Sequence, residues 1–130
     1  MKFAYTILFV PDVEAAASFY KQCFGFQIRF HDEDGDYIEL ETEGVTLAFA
    51  SERLATKNTA GAFSPSSSEG KAAAMEVAFV TDDVQAAFDT AVAKGAHALS
   101  NPEQKPWGQT VAYVRDLNGF LVELASPIQS

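Results

Sequence analysis

The chain carries one pattern twice, as YTILFVPDVEAAA at residues 5–17 and as EVAFVTDDVQAAF at residues 76–88. In each copy an alternating, strand-like run is followed by an aspartate and then by apolar residues at helical spacing. Asp12 and Asp83 can accept hydrogen bonds from the free backbone N–H groups at the start of a helix. The repeat therefore predicts two copies of one β–α unit.

Each predicted helix ends at a glycine, Gly25 or Gly95, and further strand-like segments follow it. Asp34-Gly35 and Asn118-Gly119 favour the positive φ angles of tight turns between strands. The predicted strands are residues 5–10, 26–30, 37–41 and 45–51 in the first copy, and 98–99, 110–114 and 120–125 after the second helix. The sequence thus predicts an α+β fold in which two βαβββ units form a curved mixed sheet with helices on its convex face.

We expect one domain over residues 1–130, with unit one at 1–51 and unit two at 72–130. Residues 52–71 lie between them and are rich in Ser, Ala, Gly and Thr. This composition favours a mobile linker, and a lid over a ligand is the alternative. Phe63 is the aromatic residue that could anchor such a lid.

Charge and composition narrow the classes of partner. The formal net charge of −9 and the nine scattered Lys and Arg residues argue against nucleic acid and anionic membrane surfaces. No apolar run has the length of a membrane span. Because Cys23 is the single cysteine, an internal disulfide is excluded, and we expect a cytoplasmic protein. The negative net charge favours a neutral or cationic small molecule as the ligand.

Two stretches resemble a known family: FVPDVEAAASFYKQCFGFQ at residues 9–27 and KPWGQTVAYVRDLNGFLVEL at residues 105–124. The second is similar to the tryptophan-glycine strand and Asp-x-x-Gly hairpin of glyoxalase and bleomycin-resistance proteins. Leu117 stands where a proline is usual in that hairpin. The resemblance, to the vicinal oxygen chelate superfamily, covers nearly the whole chain. It implies the paired-unit fold, but this fold hosts several chemistries.

The resemblance also implies four metal-ligand positions, which fall on Tyr5, Ala48, Glu76 and Glu123. His, Gln or Glu is usual there, and only the two glutamates are strong ligands. We therefore expect no cofactor and no complete metal centre, with a weakly bound divalent metal as the alternative. His31 and His97 are predicted at strand ends and do not complete the set.

Strand alternation predicts which side chains line a cleft. Ile38 and Leu40 are assigned to the core, which leaves their strand neighbours for the opposite face. The predicted ligand-binding residues are Tyr5, Ile7, Phe9, Tyr37, Glu39, Ala48, Glu76, Trp107, Tyr113 and Glu123. Apolar and aromatic walls with a few carboxylates suit a planar or cationic ligand.

Simpler structural interpretations stand beside these assignments. Glu39 is explained equally by a solvated strand position, and Glu123 by a salt bridge to Arg115 or Arg29. Trp107 is explained by packing at the start of a strand.

The preferred hypothesis is a metal-free protein that binds a small cationic or aromatic molecule, and the resemblance implies a homodimer. One alternative is a metal-dependent glyoxalase-like lyase or dioxygenase-like enzyme in which Glu76 is the general base. A second alternative is that the cleft face serves only dimerisation, with Tyr5, Ile7 and Phe9 buried against a partner subunit.

Overall fold

The computed structural model describes residues 1–128, which fall into two compact units that divide between Ser66 and Ser67. Each unit contains a four-stranded mixed sheet, and three helices accompany the two sheets. The predicted α+β class and the duplicated unit are confirmed. The sheet is, however, two separate four-stranded sheets and not one continuous sheet.

Unit 1 has the order β1 (Tyr5–Val10), α1 (Val13–Phe24), β2 (Gln27–His31), β3 (Tyr37–Glu41), β4 (Thr46–Ser51) and α2 (Glu52–Thr59). Its strands lie in the order β1-β4-β3-β2. β1 runs parallel to β4, and the other neighbours are antiparallel.

Unit 2 has the order β5 (Glu76–Val80), α3 (Val84–Ala93), β6 (His97–Gln104), β7 (Thr110–Arg115) and β8 (Leu121–Ala125). Its strand order is β5-β8-β7-β6, with the parallel pair again formed by the first and last strands. The two units therefore share one βαβββ topology, as the sequence repeat predicts.

Aspartate caps start both predicted helices. An Asp12 carboxylate oxygen accepts hydrogen bonds from the N–H groups of Glu14 and Ala15 at 3.0 and 3.1 Å. Asp83 accepts from Ala86 N–H at 3.0 Å. Gly25 ends α1 with φ of 81°, a conformation in which a β-carbon is unfavourable. Both predicted start signals are confirmed.

The core of each unit lies between its sheet and its helix. In unit 1, α1 packs on β2, β3 and β4, and the rings of Tyr20 and Phe49 meet with centroids 5.0 Å apart. Ile38 and Leu40 are fully buried, as predicted from strand alternation. Cys23 is also buried, which agrees with its assignment as a small apolar residue. Burial of these side chains supplies the main stabilising term.

The segment predicted as a linker is partly helical. Residues 52–59 form α2, and the Ser51 hydroxyl caps it by accepting from Leu54 N–H at 3.0 Å. The predicted β6 was too short, because pairing with β7 extends it to Gln104. The other predicted strand ends agree with the structure to within one residue. Within residues 1–128, none of the helices combines the length and apolar composition needed to span a bilayer.

The turn between β7 and β8 depends on a buried aspartate. One Asp116 carboxylate oxygen accepts hydrogen bonds from the N–H groups of Asn118 and Phe120, both at 2.9 Å. Gly119 completes the turn with φ of 88°. This turn fixes the register of β8 and hence the position of Glu123.

Candidate functional site

Apart from Trp107, the candidate site residues lie on the sheet face opposite α1 in unit 1 and opposite α3 in unit 2. We call this the distal face of each unit. In β1, Tyr5 and Ile7 are exposed on it, whereas Leu8 and Val10 point to the helix and are buried. The alternation predicted for β1 is therefore confirmed.

The distal face of unit 1 brings several predicted residues together through the strand register. Ala48 in β4 lies opposite Ile7 in β1 and opposite Glu39 in β3. Phe9 and Tyr37 both lie opposite Ala50. Paired residues of adjacent strands share a face, so these side chains form one apolar surface with a single carboxylate.

That carboxylate is held in a closed network. One Glu39 oxygen accepts hydrogen bonds from Arg29 Nη2 at 2.8 Å and Nε at 3.2 Å, and the other accepts from the Tyr37 hydroxyl at 2.7 Å. Arg29 also donates to the Thr46 hydroxyl at 2.9 Å. The guanidinium lowers the pKa of Glu39, and burial together with Glu39 raises the pKa of Tyr37.

The alternative interpretation of Glu39 as a solvated strand residue is therefore wrong. The Glu39 side chain is 14% exposed and forms a salt bridge with Arg29, a residue that is absent from the predicted site. Ile28 lies opposite the core residue Leu40, so the alternation of β2 places the next residue, Arg29, on the same face as Glu39. The pairing of β2 with β3 was the available signal for Arg29.

Phe63 lies against the same face. Its ring meets that of Phe9 in an edge-to-face arrangement with centroids 5.0 Å apart. Such pairs contribute beyond simple area burial. The segment that follows α2 therefore covers the end of β1, in keeping with the lid alternative for residues 52–71.

In unit 2, the register places Glu123 at the centre of the distal face. It lies opposite Ala78 in β5 and opposite Tyr113 in β7. Glu76 lies at the start of β5, opposite Leu121. Ala78, between Glu76 and Val80 in β5, is exposed.

Tyr113 joins the two glutamates. Its hydroxyl lies 2.7 Å from Glu123 Oε1 and 3.2 Å from Glu76 Oε1. A phenol has one proton to donate, so the shorter distance identifies Glu123 as its acceptor. Hydrogen bonding to Glu123 and burial raise the pKa of Tyr113, which therefore remains a donor at neutral pH.

The surroundings of Glu76 raise its pKa. Burial raises its pKa, and hydrogen bonding and charge repulsion from Glu123 raise it further, against a smaller lowering by Tyr113. Two carboxyl groups this close do not both ionise freely, because the second negative charge repels the first. Glu76, Glu123 and Tyr113 thus form one group joined by the Tyr113 hydroxyl, which we call the carboxyl cluster.

The proposed salt bridge of Glu123 with Arg115 or Arg29 is wrong. Glu123 accepts from Tyr113, whereas Arg29 pairs with Glu39 in unit 1. Arg115 donates instead to backbone carbonyls at Ser67, Gly70 and Gly119. Neither Arg29 nor Arg115 therefore neutralises the negative charge of the carboxyl cluster through a salt bridge.

Trp107 lies in the turn between β6 and β7 and is 66% exposed. Its indole N–H donates to Gln109 Oε1 at 2.8 Å, and Gln109 in turn donates to the Ser126 carbonyl at 2.8 Å. This exposure contradicts the alternative that Trp107 is a packing residue. The ring is oriented by Gln109 and available to solvent.

The donor set in unit 2 falls short of a complete metal centre. Glu76 and Glu123 supply carboxylates, and Tyr113 supplies a phenol that is already hydrogen-bonded. Across residues 1–128, His, Cys, Asp and Glu side chains form no group of three or more placed to hold a metal ion. His31 and His97 lie at the end of β2 and the start of β6, as predicted. The residues present therefore do not fit a centre with three or four protein ligands.

Comparisons with known proteins identify the family. The sequence model of the Glyoxalase/Bleomycin resistance protein/Dioxygenase superfamily matches residues 2–124. The chain belongs to this superfamily, and the resemblance predicted from residues 9–27 and 105–124 is confirmed. A comparison with curated protein sequences found no significant match.

Solved structures share the fold. A glyoxalase-related enzyme from Fulvimarina pelagi is 25% identical with a TM-score of 0.83, covering 98% of this chain and 88% of its own. A protein of unknown function from Agrobacterium tumefaciens is 28% identical with a TM-score of 0.78, covering 98% and 94%. A glyoxalase/bleomycin resistance protein/dioxygenase family enzyme from Burkholderia phytofirmans is 21% identical with a TM-score of 0.84, covering 99% and 100%, and supports the fold alone.

Proposed function

We propose that this protein binds a small cationic or aromatic molecule on its distal faces and that the carboxyl cluster of unit 2 pairs with the charge of the ligand. The observation that carries the proposal is the contact of one phenol, Tyr113, with both Glu76 and Glu123. A pair of glutamates without a directly bound arginine or lysine is suited to pair with a ligand cation. The exposed ring of Trp107 offers an aromatic surface in the same unit.

Cation binding to this cluster is linked to the ionisation of Glu76. In the free protein the pKa of Glu76 is raised, mainly by burial and by Glu123. A bound positive charge favours the ionised carboxylate and lowers that pKa again. Affinity for a cation therefore increases as the pH rises through the pKa of Glu76. The net charge of −9 adds a long-range attraction that attenuates with salt.

Calorimetric titration with a panel of planar cations, including proflavine, and with the planar anion fluorescein tests the proposal. We expect the cations to bind and E76Q or E123Q to weaken them about tenfold or more, since one close charge pair exceeds 1.4 kcal/mol when partly desolvated. E43Q removes the same formal charge from an exposed turn in unit 1 and is the matched control. Equal losses in all three variants would assign binding to the overall field and not to the cluster.

The second candidate function is an enzyme in which Glu76 is the general base. The raised pKa of Glu76 favours it, because a carboxylate with a higher pKa is a stronger base. A weakly bound divalent ion on Glu76 and Glu123 is the metal-dependent form of this alternative. Titration with Mn(II), Fe(II), Ni(II) and Zn(II) separates the two hypotheses. Tight stoichiometric uptake that E123Q abolishes would contradict the metal-free binder.

The cytoplasmic location and the homodimer belong to the same proposal. In the alternative in which the cleft face serves only dimerisation, a partner subunit would bury Tyr5 and Ile7, which are 52% and 40% exposed on the distal face of unit 1. Sedimentation of the wild type and of the double variant Y5S/I7S measures this. A dimer that persists unchanged in the variant would exclude these two residues from the interface.

A further inference from the structure

The segment between Gly61 and Gly70 makes two kinds of contact with the distal faces. In unit 1 the Phe63 ring packs on Phe9 with centroids 5.0 Å apart. In unit 2 the carbonyl groups of Ser67 and Gly70 both accept hydrogen bonds from Arg115. Neither contact is predictable from the Ser- and Gly-rich composition of the segment.

The Arg115 guanidinium donates hydrogen bonds to three backbone carbonyl groups, and we call this arrangement the Arg115 clamp. Its Nη1 donates to the Gly70 carbonyl at 2.6 Å, its Nη2 to the Ser67 carbonyl at 2.9 Å and its Nε to the Gly119 carbonyl at 2.9 Å. The planar guanidinium can satisfy three fixed acceptors at once, which a lysine ammonium on a flexible stem cannot match. The clamp therefore joins residues 67–70 to the turn between β7 and β8.

Gly119 makes room for this contact. A β-carbon at Gly119 would overlap the Ser67 carbonyl and lie 2.7 Å from Arg115 Nη2. Only a glycine allows the segment to approach the turn so closely, and its φ of 88° also favours glycine. The Asp-x-x-Gly hairpin thus has a second role besides turning the chain.

The clamp lies beside the carboxyl cluster. Arg115 is two residues beyond Tyr113 in β7, so both side chains extend from the same face of the strand. The register places Arg115 opposite Leu121, and Leu121 opposite Glu76. The Arg115 clamp and residues 67–70 therefore lie at the same end of the unit 2 sheet as Glu76, whose side chain is exposed.

The ends of the segment have the backbone conformation of hinges. Ala60 and Gly61 have φ of 55° and 72°, and Gly70 has φ of 71°. Ala60 is the non-glycine residue with positive φ that ends α2. Glycines at both ends allow the intervening residues to change direction at low energetic cost.

We propose that residues 67–70 form a strap in unit 2 that the Arg115 clamp holds closed, and that its opening admits the ligand to the carboxyl cluster. The second half of this statement rests on the proposed function. The opening of the strap is a property of the chain alone and is measurable without a ligand.

Limited proteolysis measures the opening directly. A glutamate-specific protease cuts after Glu69, within the strap, and trypsin cuts after Lys71, next to it. We expect R115K and G119A to raise the initial cleavage rates at these two sites about tenfold or more, because charge-assisted hydrogen bonds hold the closed form. G35A is the matched control, since Gly35 has a similar φ of 75° but open space around it.

The cleavage pattern of R115K and G119A supports the strap or overturns it. Faster cleavage confined to Glu69 and Lys71 in R115K, with the melting temperature close to that of the wild type, supports the strap. Wild-type rates in both R115K and G119A overturn it. New cleavage throughout the chain in R115K also overturns it, because the clamp would then maintain the whole fold.

Stopped-flow association of proflavine then tests admission of the ligand. We expect R115K to raise the association rate constant severalfold. An unchanged association rate with faster proteolysis would reject the strap as the gate. Absence of proflavine binding in every variant, with faster proteolysis in R115K, would count against the proposed function while leaving the opening of the strap established.

Discussion

Ala48 and Glu123 occupy the same position of the two repeated sheets. Ala48 lies in the central strand β4 between Ile7 and Glu39, and Glu123 lies in β8 between Ala78 and Tyr113. The carboxylate is thus present in unit 2 and missing in unit 1. This difference confines the carboxyl cluster to unit 2, whereas the carboxylate of unit 1, Glu39, is neutralised by its own arginine.

Removing the Tyr113 hydroxyl tests the bond within the cluster. Y113F leaves Glu123 without its donor, and we expect the free energy of unfolding to fall by about 1–2 kcal/mol, the usual loss for a part-buried hydrogen bond to a charged group. Urea denaturation at neutral pH measures it. Y5F removes a hydroxyl from an exposed tyrosine of unit 1 and should change stability far less. If Y113F and Y5F changed the free energy of unfolding equally, the hydrogen bond between Tyr113 and Glu123 would not stabilise the protein.

The raised pKa of Glu76 makes stability depend on pH. The folded state holds this proton more tightly than the unfolded chain, in which the pKa is near 4.5. The contribution is therefore fully present below about pH 4.5 and is lost as the pH rises through the folded-state pKa. Because glutamine does not ionise, we expect the stability of E76Q not to fall as the pH rises through this pKa. We also expect E76Q to be more stable than the wild type at neutral pH. Parallel stability–pH curves for E76Q and the wild type would refute the assignment.

Arg29 supports Glu39, so R29M should destabilise the protein. The variant leaves a carboxylate that is 14% exposed without its guanidinium. We expect R29M/E39Q to lose less stability than the sum of its two single variants, which a double-mutant cycle in urea measures. E41Q breaks only a 3.7 Å contact of an exposed side chain and should have little effect. Strict additivity of R29M and E39Q would contradict the network.

Asp116 fixes the turn before β8, and D116A should therefore destabilise unit 2. Two N–H groups lose their acceptor, at a cost of about 1–3 kcal/mol. D34A, in an exposed turn of unit 1, is the control. Thermal and urea unfolding of both variants provide the comparison. If D116A is as stable as D34A, the buried carboxylate does not hold the turn.

The sequence predicted the parts of the fold that depend on local signals. Asp12 and Asp83 cap their helices, and the alternation of Tyr5–Val10 and Tyr37–Glu41 gives the correct faces. The helix α2 was missed because the Ser- and Gly-rich residues after it dominated the composition of the segment. The helix formers of residues 52–57 and the capping Ser51 were the available signals.

The candidate site was only partly predictable. Glu76 and Glu123 follow from the family resemblance, and Tyr113 follows from the repeat. Arg29 also follows from the alternation of β2, in which Ile28 lies opposite Leu40, but this signal was missed. The hydrogen bonds of Arg115 to carbonyl groups distant in sequence depend on tertiary packing, which side-chain type and spacing do not reveal. The predicted salt bridges of Glu123 were therefore wrong.

The most direct test of the account is an NMR titration of the Glu76 side-chain carboxyl carbon. In the wild type we expect its midpoint above the ordinary glutamate value of 4.5, because burial and the neighbouring Glu123 oppose ionisation. E123Q should bring that midpoint down, with E43Q leaving it unchanged. A carboxyl at position 76 that titrates at the ordinary value, and that does not respond to E123Q, would contradict the account.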